Sequence, residues 1–170
     1  MRATLQLHPD YACDAVERLD VEVARAGANV LLRYVVTGRI ADLALPEVTA
    51  PVRADDLWRH TCFELFVREP DNSYVEFNFA PSSHWAGYRF ARYRGGRSDV
   101  EIPAPHIDCE TRADRYEMRV SLAWPHGGPM AISTVIEEAS GRLSYWAARH
   151  APDKADFHHT DGFVLTLEHA

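Results

Sequence analysis

The chain has 170 residues, of which 46% are hydrophobic and 25% charged, and its formal net charge is -7. That length implies one domain, with a core large enough to need no disulfide or metal staple. The acidic balance lacks the electrostatic footprint of a nucleic-acid binder, and no stretch is long and apolar enough to span a membrane. Cys13, Cys62 and Cys109 form no CxxC pair, which argues against a disulfide framework or a zinc or redox motif. The first twenty residues are charged throughout and lack the apolar centre of an export signal, so a reducing cytoplasm is the expected location.

Taken in chain order, short alternating segments predict strands. They fall near Leu19–Ala26, Asn29–Val36, Thr61–Arg68, Tyr74–Ala80, Trp85–Tyr93, Arg115–Leu122, Ala131–Glu138, Leu143–Ala148 and Gly162–Glu168. The turn-forming stretches AGAN, EPDNS, RGGR, PHGGP and ASGR separate them. Many short strands joined by Gly/Pro turns predict an all-β sandwich or barrel. YACDAVERLD is the only stretch with a weak helical pattern, and 41–58 reads as a long irregular crossing.

The stretch HTCFELFVREPDNSYVEFNF can be worked out to the register. Pro70-Asp71-Asn72 suits a type I turn. Pairing Arg68 with Tyr74 places Val67 opposite Val75, Leu65 opposite Phe77, and Phe63 opposite Phe79. The pleat then sends Cys62, Glu64, Phe66, Tyr74, Glu76 and Asn78 to the other face. A slip by one residue would bury both carboxylates in the core. On the next strand, Ala86, Tyr88 and Phe90 are expected to join the core. Trp85, Gly87 and Arg89 then stand beside the carboxylates.

Rings beside carboxylate, amide and guanidinium groups suit a sugar. Aromatic faces cover pyranose C–H surfaces, and fixed polar groups take the hydroxyls. Glu64, Asn78 and Arg89 would hold hydroxyls, with Glu76 in support. Against this stands an ordinary cross-strand pair of Glu64 and Arg89 on a wet face, worth roughly 0.2–1 kcal/mol. Trp58-Arg59-His60 could close one edge of a pocket, or staple the entry to the sheet. The region holding Trp146, His150, Asp156, His158 and His159 invites a metal reading, but its spacing matches no zinc signature. GxSxG, HExxH, P-loop and GxGxxG motifs are absent. The paired glutamates raise glycoside hydrolysis as a question. Neither a cofactor nor a metal is expected.

The stretches LWRHTCFELFV, YVEFNFAPSSHWAGYRFARYR and SYWAARH, with DFHH and DGF further on, resemble the DOMON-like group related to family 9 carbohydrate-binding modules. The resemblance spans residues 15–168. It implies a jelly-roll-like antiparallel β-sandwich that binds sugar or haem without catalysis. It also implies binding roles for Glu64 and Arg89, with Trp85 or Trp146 as stacking platforms. Met118 shares an alternating apolar set with Tyr116, Val120 and Leu122, so it reads as core and not as a haem ligand.

The expected function is non-catalytic binding of a small polar molecule, a sugar above all. Glu64, Asn78, Arg89, Glu76, Trp85, Trp146, His60 and His150 are the candidate contacts. A small metal-assisted enzyme using the C-terminal His/Asp residues, and a protein-interaction module, are the alternatives.

Overall fold

A computed structural model describes residues 1–170. The strands are β1 (Arg2–Leu7), β2 (Val16–Ala26), β3 (Asn29–Gly38), β4 (Cys62–Arg68), β5 (Tyr74–Phe79), β6 (Trp85–Arg92), β7 (Gly95–Asp99), β8 (His106–Thr111), β9 (Arg115–Ala123), β10 (Gly128–Glu137), β11 (Leu143–Ala147) and β12 (Leu165–Leu167). Their order is β7-β6-β5-β4-β10-β11-β1-β2-β3-β9-β8, and β12 adds to β10. All ladders are antiparallel. β1 serves both halves: Arg2 to Leu5 pair with β2, while Gln6 and Leu7 pair with β11. The ribbon thereby folds into two layers, an antiparallel β-sandwich.

One face of each layer fills the space between them. Phe63, Leu65 and Val67 of β4 and Val75, Phe77 and Phe79 of β5 meet Tyr34 of β3 and Tyr116, Met118 and Val120 of β9 in a single buried cluster. Tyr34 and Phe63 pack with ring centroids 5.0 Å apart, and the Tyr34 hydroxyl donates to the Glu64 carbonyl across the layers at 3.1 Å. Met118 is fully buried with its alternating partners.

The β4–β5 hairpin has the register read from sequence, Phe63 to Phe79 through Arg68 to Tyr74. Its loop closes with Asn72 N–H donating to the Glu69 carbonyl and Asn72 in the left-handed region at φ 67°. That is a type I turn followed by a left-handed residue, a common hairpin closure.

Three expectations are corrected. The weak helical stretch is no helix: residues 16–20 begin β2, where alternating Val16, Leu19, Val21 and Val23 bury one face. Strands β1, β7 and β8 were not anticipated. β7 and β8 are polar, largely exposed edge strands, and half-exposed edges show little hydrophobic alternation. The third correction concerns β6. Trp85, Gly87 and Arg89 pair with Phe79, Phe77 and Val75, so they share the interior side, and Ala86, Tyr88 and Phe90 face outward beside Asn78, Glu76 and Tyr74. The outward set is the more apolar of the two, since Arg89 stands on the interior side, so hydrophobicity alone points the wrong way.

The irregular 44–56 stretch runs along the start of β6. Trp85 N–H donates to the Val52 carbonyl and Ala54 N–H to the Trp85 carbonyl. The 3-10 turn Leu57–Arg59 follows. Residues 148–164 leave the layer after β11 and cover part of its outer face. There Phe157 and Phe163 pack on Phe66, Tyr74, Ala86, Tyr88 and Phe90. No helix is long and apolar enough to cross a membrane.

Phe63 touches both layers, so Phe63→Ala should destabilise the fold by about 3–5 kcal/mol. Urea denaturation of the two proteins checks this.

Candidate functional site

The pleat that packs Phe63 and Leu65 inward turns Glu64 outward, and on β5 it turns Glu76 and Asn78 the same way. These groups are largely shielded from bulk solvent. Glu64 is 2% exposed and Glu76 5%. The 148–164 segment, the 3-10 turn at Leu57 and the β6–β7 hairpin enclose a cavity of about 360 Å³ above them. Its floor holds Glu64 and Glu76. Its walls are Tyr11, Trp58, Tyr88, Phe90, Tyr145 and Phe157, and Arg94, Arg97 and His158 complete the lining. The volume lies at the small end of the usual ligand range of roughly 300–1,000 Å³.

The polar floor has a definite hydrogen-bond direction. Ser133 Oγ donates to Glu64 Oε2 at 3.1 Å, and Asn78 Nδ2 donates to Glu76 Oε1 at 2.7 Å. Arg94 N–H donates to the Tyr74 hydroxyl at 3.1 Å. The phenolic proton is therefore free for His158 Nδ1, 2.8 Å away. A neutral His158 then carries its proton on Nε2, which faces Glu76 Oε2 at 3.6 Å. Two acceptors are left over: Glu64 Oε1 receives no protein donor, and Asn78 Oδ1 is buried without a partner.

Burial, with Glu76 nearby, pushes the Glu64 carboxyl well above the carboxylate range, against the opposing pull of Ser133 and Arg94. Burial also raises Glu76 to about 7, although Asn78, Arg94 and Arg97 favour its charged form. Burial lowers His158 to about 4, with Arg94 acting the same way. Asp156 would be raised by burial. It is instead held below its ordinary value by Tyr93, by Arg94 and by the His158 backbone. Arg94 lies in the left-handed region at φ 50° and binds Asp156 at 2.8 Å. That pair ties the β6–β7 turn to the 148–164 segment. Tyr88 donates to Asp55 at 2.6 Å, and the Arg97 guanidinium lies 4.8 Å from its ring.

The structure brings only part of the sequence-derived set together. Glu64 and Glu76 face the cavity, Asn78 supports Glu76 from beside it, and Trp58 stands at the mouth, 46% exposed. Arg89 points to the interior side at the far end of β6 and pairs with Glu69. Trp85 belongs to the interior cluster. So does Trp146, whose indole donates to Ser144 at 3.0 Å. It pairs with Thr134, which pairs with the inward Phe63, so the outward position falls to its neighbour Tyr145. His60 is bound to Glu137 at 2.6 Å, and His150 to the Gln6 carbonyl at 2.7 Å.

The C-terminal His/Asp residues disperse: His158 faces the cavity, His159 Nδ1 accepts from Asp161 N–H, and Asp156 engages Tyr93 and Arg94. No three His, Cys, Asp or Glu residues gather at a metal-binding distance.

No family model matches the sequence, and no curated protein matches it. Among solved structures, it resembles a proposed carbohydrate-binding protein from Bacteroides uniformis. The TM-score is 0.69 and the identity 15%, over 98% of this chain and 85% of the other. Weaker likenesses are to a family 9 carbohydrate-binding module from Caldicellulosiruptor kristjanssonii. With cellotriose bound, the TM-score is 0.46 at 10% identity, over 87% of this chain and 73% of that one. With glucose bound, it is 0.44 at 10% identity, over 87% and 75%. The first likeness supports the fold alone, an antiparallel β-sandwich.

The raised carboxyls set a pH dependence. In the unfolded chain Glu64 and Glu76 ionise near 4.3. The folded state retains their protons above that, so they oppose folding increasingly as pH rises, Glu76 up to about 7. His158 acts in the opposite sense: it stays neutral when folded, so its cost is felt below its unfolded value near 6.5 and fades as pH rises. The carboxylates held low act mainly below about pH 5. Between about pH 5 and 8, Glu64→Gln should therefore flatten the pH dependence of stability relative to the wild type, and His158→Gln should remove the cost that His158 imposes below about 6.5, so that variant gains stability over the wild type as pH falls. Urea midpoints across that range provide the measurement. A Glu64→Gln profile parallel to the wild type would refute the assigned carboxyl.

Proposed function

We propose that this chain is a non-catalytic binding protein for a carbohydrate or a closely related polyhydroxyl molecule, acting as a single domain in a reducing cytoplasm. The observation that carries the reading is the cavity itself. Two carboxyl groups lie on its floor, with Glu64 Oε1 left without a protein donor, aromatic rings form its walls, and guanidiniums stand at its rim. Hydroxyl groups supply the missing donors, and the rings suit the C–H faces of a pyranose. Glu64 and Glu76 would take hydroxyls, Asn78 would fix Glu76, and Trp58 with Tyr145 or Tyr88 would stack. The fold likeness supports this reading, as does the sequence resemblance to the DOMON-like group. The Bacteroides uniformis protein is itself proposed to bind carbohydrate.

A second reading has one specific observation in its favour. Glu64 and Glu76 are neighbours on adjacent strands, and burial favours a proton on Glu64. An acid beside a carboxylate is the equipment of a glycosidase. Release of the phenol from aryl glycosides, lost in Glu64→Gln, would establish this reading in place of simple binding.

Binding can be tested with a thermal-shift screen of monosaccharides and disaccharides. A ligand at a hundred times its Kd adds about 2.7 kcal/mol of stability. Glu64→Gln should clearly reduce the shift, and Trp58→Ala should weaken binding about tenfold, or 1.4 kcal/mol. Arg89→Ala should leave it unchanged, since Arg89 lies on the other side of the sheet. A full response in Glu64→Gln, or a loss confined to Arg89→Ala, would put the site elsewhere.

A further inference from the structure

The cavity floor contains two carboxyl groups and no positive charge bonded to either. Glu64 receives only the Ser133 hydroxyl, and Glu76 only the Asn78 amide and a neutral imidazole at 3.6 Å. The arginines lining the site do not fill the gap. Arg94 is engaged by Asp156. Arg97 is exposed and lies by the Tyr88 ring at the rim. Elsewhere in the protein, nearly buried carboxylates recruit guanidiniums: Glu117 takes Arg33, Arg115 and Arg119, and Glu138 takes Arg142. The cavity carboxyls are the exception.

Buried carboxyls without a partner are costly, and a proton on Glu64 relieves that cost only while the site is empty. Around them stand the faces and edges of Trp58, Tyr88, Phe90, Tyr145 and Phe157. An aromatic enclosure over carboxyl groups is the environment that stabilises an organic ammonium ion, through ring quadrupoles on its sides and charge-assisted hydrogen bonds at its head.

We infer that the cavity selects a sugar carrying a free amino group, whose ammonium lies on the floor between Glu64 and Glu76 while its hydroxyls face the rim. The inference rests on the carbohydrate reading of the same cavity and narrows it. An ammonium offers three N–H donors, and the floor presents two carboxyl groups to them, Glu64 through the unbonded Oε1 and Glu76. The ligand's charge replaces the proton that Glu64 holds in the free protein, so Glu64 becomes a carboxylate and its proton leaves to solvent. The aromatic walls cover the ring carbons, as they would for a neutral sugar.

The test is isothermal calorimetry near neutral pH with four probes: glucosamine, N-acetylglucosamine, glucose and tetramethylammonium. Acetylation removes the charge and keeps the sugar; tetramethylammonium keeps the charge and removes the sugar. The expected result is glucosamine binding at least about tenfold more tightly than glucose or N-acetylglucosamine. That ratio should collapse towards one in both Glu64→Gln and Glu76→Gln, with melting curves confirming that each variant is folded. Two variants are used so that a folding failure in one leaves the other informative. Equal binding of glucosamine and glucose overturns the amine preference and leaves the carbohydrate reading intact. Binding of tetramethylammonium with no response to any sugar overturns the sugar and shows that the floor takes a cation of another class. No binding by any probe overturns both readings.

Discussion

The pleat of the β4–β5 hairpin is the constraint from which the rest follows. In one register, Phe63, Leu65, Val67, Val75, Phe77 and Phe79 all enter the interior, and Glu64, Glu76 and Asn78 are carried to the opposite face with no freedom to do otherwise. A slip by a single residue would exchange the two sets, placing three polar groups among the phenylalanines. The register is held from both sides. Tyr34 reaches across from the facing layer to the Glu64 carbonyl, and β10 pairs Ser133 with Glu64, so a hydroxyl stands beside the carboxyl.

What distinguishes this sandwich from a two-layer protein with a wet outer face is the cover over that second face. The 148–164 segment, the turn at Leu57 and the β6–β7 hairpin remove water from carboxyl groups that would otherwise be ordinary surface charges. Removal of water, more than any single neighbour, shifts Glu64, Glu76 and His158 away from their usual protonation. The cover is fastened by polar contacts at its margins: Asp156 with Tyr93 and Arg94, Tyr74 with His158, and Asp55 with Tyr88. These contacts hold the rim while leaving two acceptors unmet, Glu64 Oε1 on the floor and the buried Asn78 Oδ1 beside it. A protein optimised for stability alone would have filled them, and sites that carry function are where such rules are broken.

The difference between readable and unreadable parts of the sequence is visible strand by strand. The β4–β5 hairpin is legible because polar residues recur on one face and a five-residue loop fixes the pairing. β6 is not, because the outward Ala86, Tyr88 and Phe90 are more apolar than the interior Trp85, Gly87 and Arg89. Tyr145 and Trp146 are ambiguous. Adjacent residues must point to opposite faces, and composition gives no reason to prefer one. Arg94 and Arg97 carry no local signal because they belong to a hairpin whose second strand has almost no hydrophobic alternation. Trp58 and His158 stand out by residue type, but nothing in their local sequence ties them to the hairpin carboxyls.

The sequence by itself therefore determined the all-β character, most strand positions, and which faces of β4 and β5 are polar, since period-two patterning and turn chemistry are local properties. Only the tertiary structure decided that the polar face is roofed over, that Tyr88 and Tyr145 line it in place of Arg89 and Trp146, and that the carboxyls lack counter-charges. Those outcomes depend on which segments, distant in the chain, lie over the sheet, and on a strand whose outward face is the more apolar one. Local pattern is silent on the first and misleads on the second.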